Sequence, residues 1–185
     1  MNDFKNIPVT AIIILLNCLV FLVINAKNIS VEKLGSSYIS TLQDKQYYRV
    51  ISSAFTHREV PHLLMNMYSL YNIGSVIEKM LGTGLYIIAY IVIMIVGGLL
   101  SARIHKIKTP FTLSIGASGV ICGLLGIYMA VAFMAIGFAA IRSVLPTIVL
   151  LLLMTASKRI DSIGHFTGLL MGIALGFGIV FFYRM

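Results

Sequence analysis

The sequence predicts an all-α, polytopic membrane protein with six spans. Three observations predict it. The chain of 185 residues is 59% hydrophobic and only 11% charged, whereas soluble domains carry about 25% charged residues. Its mean hydropathy is +0.98. Its polar residues cluster, leaving apolar stretches near the ~20 residues that a bilayer crossing requires. Residues 1–185 are therefore expected to form a single transmembrane domain without a soluble module.

The first span is expected over Pro8 to Ala26. It is as long as a crossing and lacks a small-x-small cleavage site, which argues against a cleaved signal peptide. Residues 27–60 form a long, polar and aromatic first loop, expected to be partly membrane-associated. The second span starts near Pro61, since proline suits the first turn of a helix, and ends at Glu78-Lys79. Gly82 and Gly84 mark a turn, and the third span runs from about Leu85 to Ala102. A basic loop with Arg103, His105, Lys106 and Lys108 is expected next, broken by Pro110. From Ala117 to Ala156 the chain is apolar except for Arg142, long enough for a fourth and a fifth span with a turn near Gly137 to Ser143. Lys158, Arg159 and Asp161 form a loop before the sixth span, about Ile163 to Phe182.

The net charge of +8 does not indicate nucleic acid. The basic residues are scattered over short loops without interleaved aromatics, and such residues commonly meet lipid headgroups. Cys18 and Cys122 lie inside apolar runs, unlike a disulfide or a zinc cluster.

With six spans, the N-terminal ends of spans two, four and six share one face of the membrane. His62 and Asn66 lie in the first two turns of span two, Ser118 at the start of span four and His165 at the start of span six. His62 and Asn66, four apart, share a helix face. Gly164, Gly168, Gly172 and Gly176 form a smooth ridge on span six, and Gly116, Gly119, Gly123 and Gly126 share a stripe at span four. Small residues at this spacing let helices approach closely. That contact is expected to bring Ser118 near His165.

A serine hydroxyl becomes a strong nucleophile when a base takes its proton, and a neutral imidazole suits that task. The Ser118 N–H, at a helix start, has no intrahelical acceptor. With Asn66 and His62 it can supply donors to an oxyanion. Asp161 lies in a loop and Glu78 at the far end of its helix, so a Ser–His dyad is favoured over a triad. Taken singly, Ser118 reads as a packing residue and Asn66 as helix glue. Together with His165, an ionisable group inside a membrane, their convergence favours function.

These residues resemble the rhomboid family of intramembrane serine proteases over nearly the whole chain. Gly116-Ala117-Ser118-Gly119 matches its Gly-x-Ser-Gly motif, and "HLLMN" matches His-x-x-x-Asn at His62 and Asn66. His57 stands five residues upstream, as in that family. "GHFTGLLMG" matches His-x-x-Gly-x-x-x-Gly at His165, Gly168 and Gly172, and Glu78 with Gly82 matches a motif ending the second span. The resemblance implies Ser118 as nucleophile and His165 as general base. It implies His62, Asn66 and the Ser118 N–H as the oxyanion hole, and transmembrane segments of other proteins as substrates. Substrates with helix-breaking Gly or Pro and a small residue at the cut are expected to be favoured. No metal or cofactor is implied.

Two positions depart from the family. Tyr48-Arg49 stands where Trp-Arg is frequent, in a chain with no tryptophan; tyrosine also suits a membrane interface. Cys122 stands where some members carry an aromatic four residues after the serine, and reads either as a small buried residue or as a thiol beside the site. His105 and His57 read as loop residues, His57 as a support of the first loop.

The distribution of Lys and Arg opposes the orientation that the family implies. The face of the termini carries 4 of them and the face of Ser118 carries 10, which by the positive-inside rule puts Ser118 in the cytoplasm. The bacterial rhomboid arrangement puts both termini inside and the active site towards the outer face. We follow the family arrangement, because part of the first loop is expected to pack into the protein or the membrane interface. Two other functions fit the composition. A non-catalytic rhomboid-like protein that binds membrane helices needs no nucleophile, so intact Ser118 and His165 argue against it. A small transporter using His62 and His165 would commonly show repeated halves, and none is visible.

Overall fold

Pro8 opens the first helix, α1 (Pro8–Ala26), and its ring fits the first turn because the missing N–H has no acceptor there. In the computed structural model of the chain, residues 7–139, 142, 145 and 161–183 are described. They are all-α, with one isolated antiparallel bridge between Ser36 and Ser114. After α1 come α2 (Arg49–Phe55), α3 (Val60–Ser69), α4 (Ser75–Leu81), α5 (Thr83–Val92), α6 (Gly98–Lys108), α7 (Ser118–Ile136) and α8 (Ser162–Tyr183).

Among the described residues, four helical stretches are long and apolar enough to cross a membrane: Pro8–Ala26, Thr83–Ile107, Ser118–Ile136 and Ser162–Tyr183. The second expected span is also helical from end to end, since a π turn at Leu70–Gly74 joins α3 to α4. It falls outside those four because His62, Asn66 and Asn72 lower its hydropathy. Most of the fifth expected span lies outside the described residues, as do Lys158 and Arg159. The turn expected near Gly137 is present at that residue, whose φ of +59° ends α7.

One sequence expectation is corrected. The basic stretch after Ala102 is helix, not loop: α5, a π turn at Ile93–Gly97 and α6 continue to Lys108. Ser101, Ala102 and His105 are buried on one side, while Arg103 and Lys106 are exposed on the other. The run stops just before Thr109, the residue preceding Pro110, where helical backbone is disfavoured.

The first loop packs into the protein. Ser36 and Ser114 exchange backbone hydrogen bonds of 3.0 and 2.8 Å, and Val50, Ser53, Ala54, Thr56 and His57 are buried. Arg49 ties the loop together, donating to the carbonyls of Glu32 at 2.6 Å and Gly35 at 3.0 Å and to the Gln46 side chain at 2.6 Å.

Glu78 joins the ends of three helices. Its carboxylate accepts the N–H groups of Val9 at 2.9 Å and Thr10 at 2.8 Å, and the Thr83 hydroxyl at 3.3 Å. It therefore caps α1 from a distant part of the chain and satisfies donors that a helix start leaves unpaired. Glu78→Ala leaves the buried Thr10 N–H and the half-buried Val9 N–H without this acceptor. A loss of about 2 kcal/mol or more is expected, read as a lower Tm in detergent; an unchanged Tm would remove this role.

Helices α7 and α8 meet along their glycines, and backbone approaches backbone. A methyl carbon at Gly168 would strike the carbonyl oxygen of Gly119, one at Gly172 that of Gly123, and one at Gly126 that of Leu169. Gly97, in the π turn, faces the same ridge: a Cβ added there would lie 3.6 Å from the Gly168 Cα.

Candidate active site

The chain enters α7 through residues 114–117, which are held before the helix begins. Ser114 is bridged to Ser36, and the Gly116 N–H donates to the Ser53 carbonyl at 2.8 Å. Gly116 has φ +97°, a conformation that costs glycine little. A Cβ there would lie 2.7 Å from the Cε1 and Nε2 atoms of His62 and 3.1 Å from the Asn66 Nδ2. The edges of His62 and Asn66 thus face the backbone just before Ser118, and glycine admits them.

Ser118 is the first residue of α7 and His165 lies in the first turn of α8. The glycine contact brings them together, and the Ser118 Oγ lies 2.6 Å from the His165 Nε2. With the hydroxyl as donor, the ring proton sits on Nδ1. That Nδ1 is buried and has no hydrogen-bond partner among the described residues. The Ser118 N–H, in the first turn, has no acceptor within its helix.

Asn66 is buried, and its Nδ2 lies 2.9 Å from the Nε2 of His57. Burial, with His62 nearby, pushes the His57 pKa down to about 4. Neutral at pH 7, His57 can accept this hydrogen bond and orient the amide. His57 also meets the His62 ring edge-on, with centroids 4.9 Å apart. The sequence reading made it a support of the loop; here it holds a site residue directly.

Gly119, Gly168 and Gly172 stand in the helix contact itself. Arg49 and Glu78 do not touch the site: Arg49 shapes the loop that carries Ser36, and Glu78 caps α1. Cys122, one turn along α7 from Ser118, is a buried free thiol.

His105 and Asp161 were not singled out by their sequence positions. His105 is buried on α6, not in a loop. Its Nε2 lies 2.8 Å from the Asp161 Oδ1 and its Nδ1 lies 2.6 Å from the Thr109 hydroxyl. Asp161 also accepts the Gly164 N–H at 2.9 Å and the Ser114 hydroxyl. Burial alone would raise its pKa, but these hydrogen bonds outweigh burial and hold it at about 2. Its hydrogen bonds do not include the His165 ring. One signal in the sequence was available: an aspartate just before an apolar helix is a common N-cap.

A cavity of about 70 Å³ lies against Ser118 and His165, with Ser53, Ser101, Ser114 and Asp161 also in its wall. This is room for several waters at roughly 10–15 Å³ each, and apolar side chains such as Val50, Ile93 and Met94 make up much of the rest of the wall.

Comparison with known proteins gives one family. The family model described as "Rhomboid domain" matches residues 44–182. The chain is 30% identical over 151 residues to "Rhomboid-like protease 3" of Toxoplasma gondii, which covers 77% of this chain and 55% of that protein. It is 28% identical over 173 residues to "Rhomboid protease GluP" of Bacillus subtilis, which covers 88% of this chain and 33% of that protein. It is 31% identical over 153 residues to "RHOMBOID-like protein 5" of Arabidopsis thaliana, which covers 80% of this chain and 49% of that protein. The chain thus spans between a third and about half the length of these relatives.

Proposed function

The chain belongs to the rhomboid family of multi-pass membrane proteins, and from that premise we propose that it is an intramembrane serine endopeptidase. The reading takes residues 1–185 as one domain in the cell membrane, with six spans, the fifth read from sequence alone. Its substrates are transmembrane segments of other membrane proteins. What carries it is the 2.6 Å approach of the Ser118 Oγ to the His165 Nε2, made by residues of two different helices.

The chemistry follows from that pair. Nε2 takes the hydroxyl proton as Oγ attacks the scissile carbonyl carbon. The negative charge that develops on the carbonyl oxygen meets the Ser118 N–H, the Asn66 amide and the His62 ring, each donor of this kind contributing about 10²–10³ in rate. The protonated imidazole then gives its proton to the leaving amine, and the C–N bond breaks to leave an acyl-Ser118. A water molecule, deprotonated by the same Nε2, hydrolyses the ester and restores Ser118. A helical substrate must unwind locally to expose its carbonyl, so segments with Gly or Pro near the cut are favoured.

The test is chemical. Purified protein in detergent is incubated with a fluorophosphonate probe, digested, and the adduct is mapped by mass spectrometry. The adduct is expected on Ser118, with parallel loss of cleavage of a test transmembrane substrate. An adduct on another residue, or unimpaired cleavage after full labelling of Ser118, would overturn the reading.

A further inference from the structure

Asp161 is a carboxylate with only 10% of its side chain exposed. A buried charge is costly unless it is paired and hydrogen-bonded. Its partners come from three separate parts of the chain. His105 donates from the end of α6, at 2.8 Å. Ser114 donates from the segment that leads into α7. The Gly164 N–H donates from the first turn of α8, at 2.9 Å, the position an N-capping side chain serves. The Asp161 carbonyl also accepts the N–H of His165 itself, at 3.2 Å.

Both members of the dyad hang from these contacts. Ser118 follows Ser114 by four residues, and His165 follows Gly164 directly. The glycine ridges set how near α7 and α8 lie to each other. Asp161 ties their starting points to each other and to α6. A 1 Å error at reacting atoms can cost about 10²-fold in rate.

We propose that Asp161 is a positioning residue of the site: by joining His105, Ser114 and the first turn of α8, its carboxylate sets the depth of His165 against Ser118. The proposal rests on the protease reading for its kinetic consequence, and on geometry alone for its structural one. Asp161→Asn keeps the shape and an acceptor oxygen for His105 and Gly164, and the Ser114 hydroxyl can rotate to accept from the new amide. Asp161→Ala removes every contact of the side chain. Ser114→Ala removes one of them and serves if Asp161→Ala does not fold.

The experiment pairs kinetics with ¹⁵N NMR of the histidine rings, with His165 assigned through His165→Gln. Asp161→Ala is expected to lower kcat about 10²-fold per folded molecule, with KM within about twofold. Asp161→Asn is expected to recover most of that loss, and Ser114→Ala to lie between. The His165 Nε2 resonance is expected to lose its hydrogen-bond-acceptor shift in Asp161→Ala and keep it in Asp161→Asn. An unshifted Nε2 resonance in Asp161→Ala, or in Ser114→Ala where the former does not fold, would overturn the proposal. So would a kcat loss explained wholly by a smaller folded fraction. A wild type that cleaves nothing, yet shows the Asp161-dependent resonance, would overturn the protease reading and leave this inference standing.

Discussion

His165→Ala protein is expected to cleave a test transmembrane substrate no faster than a blank, a fall of about 10⁴- to 10⁶-fold in kcat. The Ser118 hydroxyl lies 2.6 Å from Nε2, and the described residues put no other basic side chain in hydrogen bond with it. Without the imidazole the hydroxyl keeps its proton and the leaving amine receives none. Ser118→Ala is expected to fall equally far, because the nucleophile itself is gone. The double variant is expected to be no slower than either single one, since the two groups act as one unit and their losses do not add. Progress curves of the three variants at saturating substrate measure this. An effect of His165→Ala below about tenfold would mean that another group takes the proton. A double variant much slower than both singles would mean that the two act independently.

The parts of this molecule that sequence made legible are those set by local pattern. Span parity alone put His62, Asn66, Ser118 and His165 at one side, and the four-residue glycine spacing marked the helix contact that joins two of them. Pro8 and Pro61 marked two helix starts through a property of the ring itself. What stayed hidden depends on tertiary contact. Glu78 caps α1 from 68 and 69 residues away, and the cap of α1 leaves no trace near Pro8. The charges of Arg103, His105 and Lys106 suggest exit from the membrane and hence a loop. The helix instead keeps His105 inside, where Asp161 receives it, and turns its two cations outward. The Ser36–Ser114 bridge joins two polar stretches without periodicity, so no pattern announced it. From sequence Asp161 reads only as a loop residue near His165, because its bonds to His105, Ser114 and Gly164 come from contacts that the fold alone makes.

The second large effect concerns the ridge rather than the chemistry. Gly172→Ala is expected to destabilise the protein by about 1–3 kcal/mol and to lower kcat about 10²-fold, and Gly172→Val to prevent folding. The reason is what the new carbon meets. At Gly172 it runs into the backbone carbonyl of Gly123, which cannot rotate aside as a side-chain tip would. Helices α7 and α8 must then separate, and the Ser118–His165 hydrogen bond lengthens with them. Gly176→Ala is expected to be milder, since its Cβ would lie 2.7 Å from the Ala130 Cβ and 3.0 Å from the Ile127 carbonyl oxygen. Gly178→Ala is the control: it lies on the same helix with nothing within 4 Å of its Cβ, and alanine is the better helix former. Its Tm is expected to hold or rise, with activity within twofold of wild type. The order of the three positions, read as Tm and kcat together, separates steric contact from a general intolerance of change in this helix. Equal losses at Gly172 and Gly178 would mean that flexibility of α8, rather than its approach to α7, is what the glycines provide.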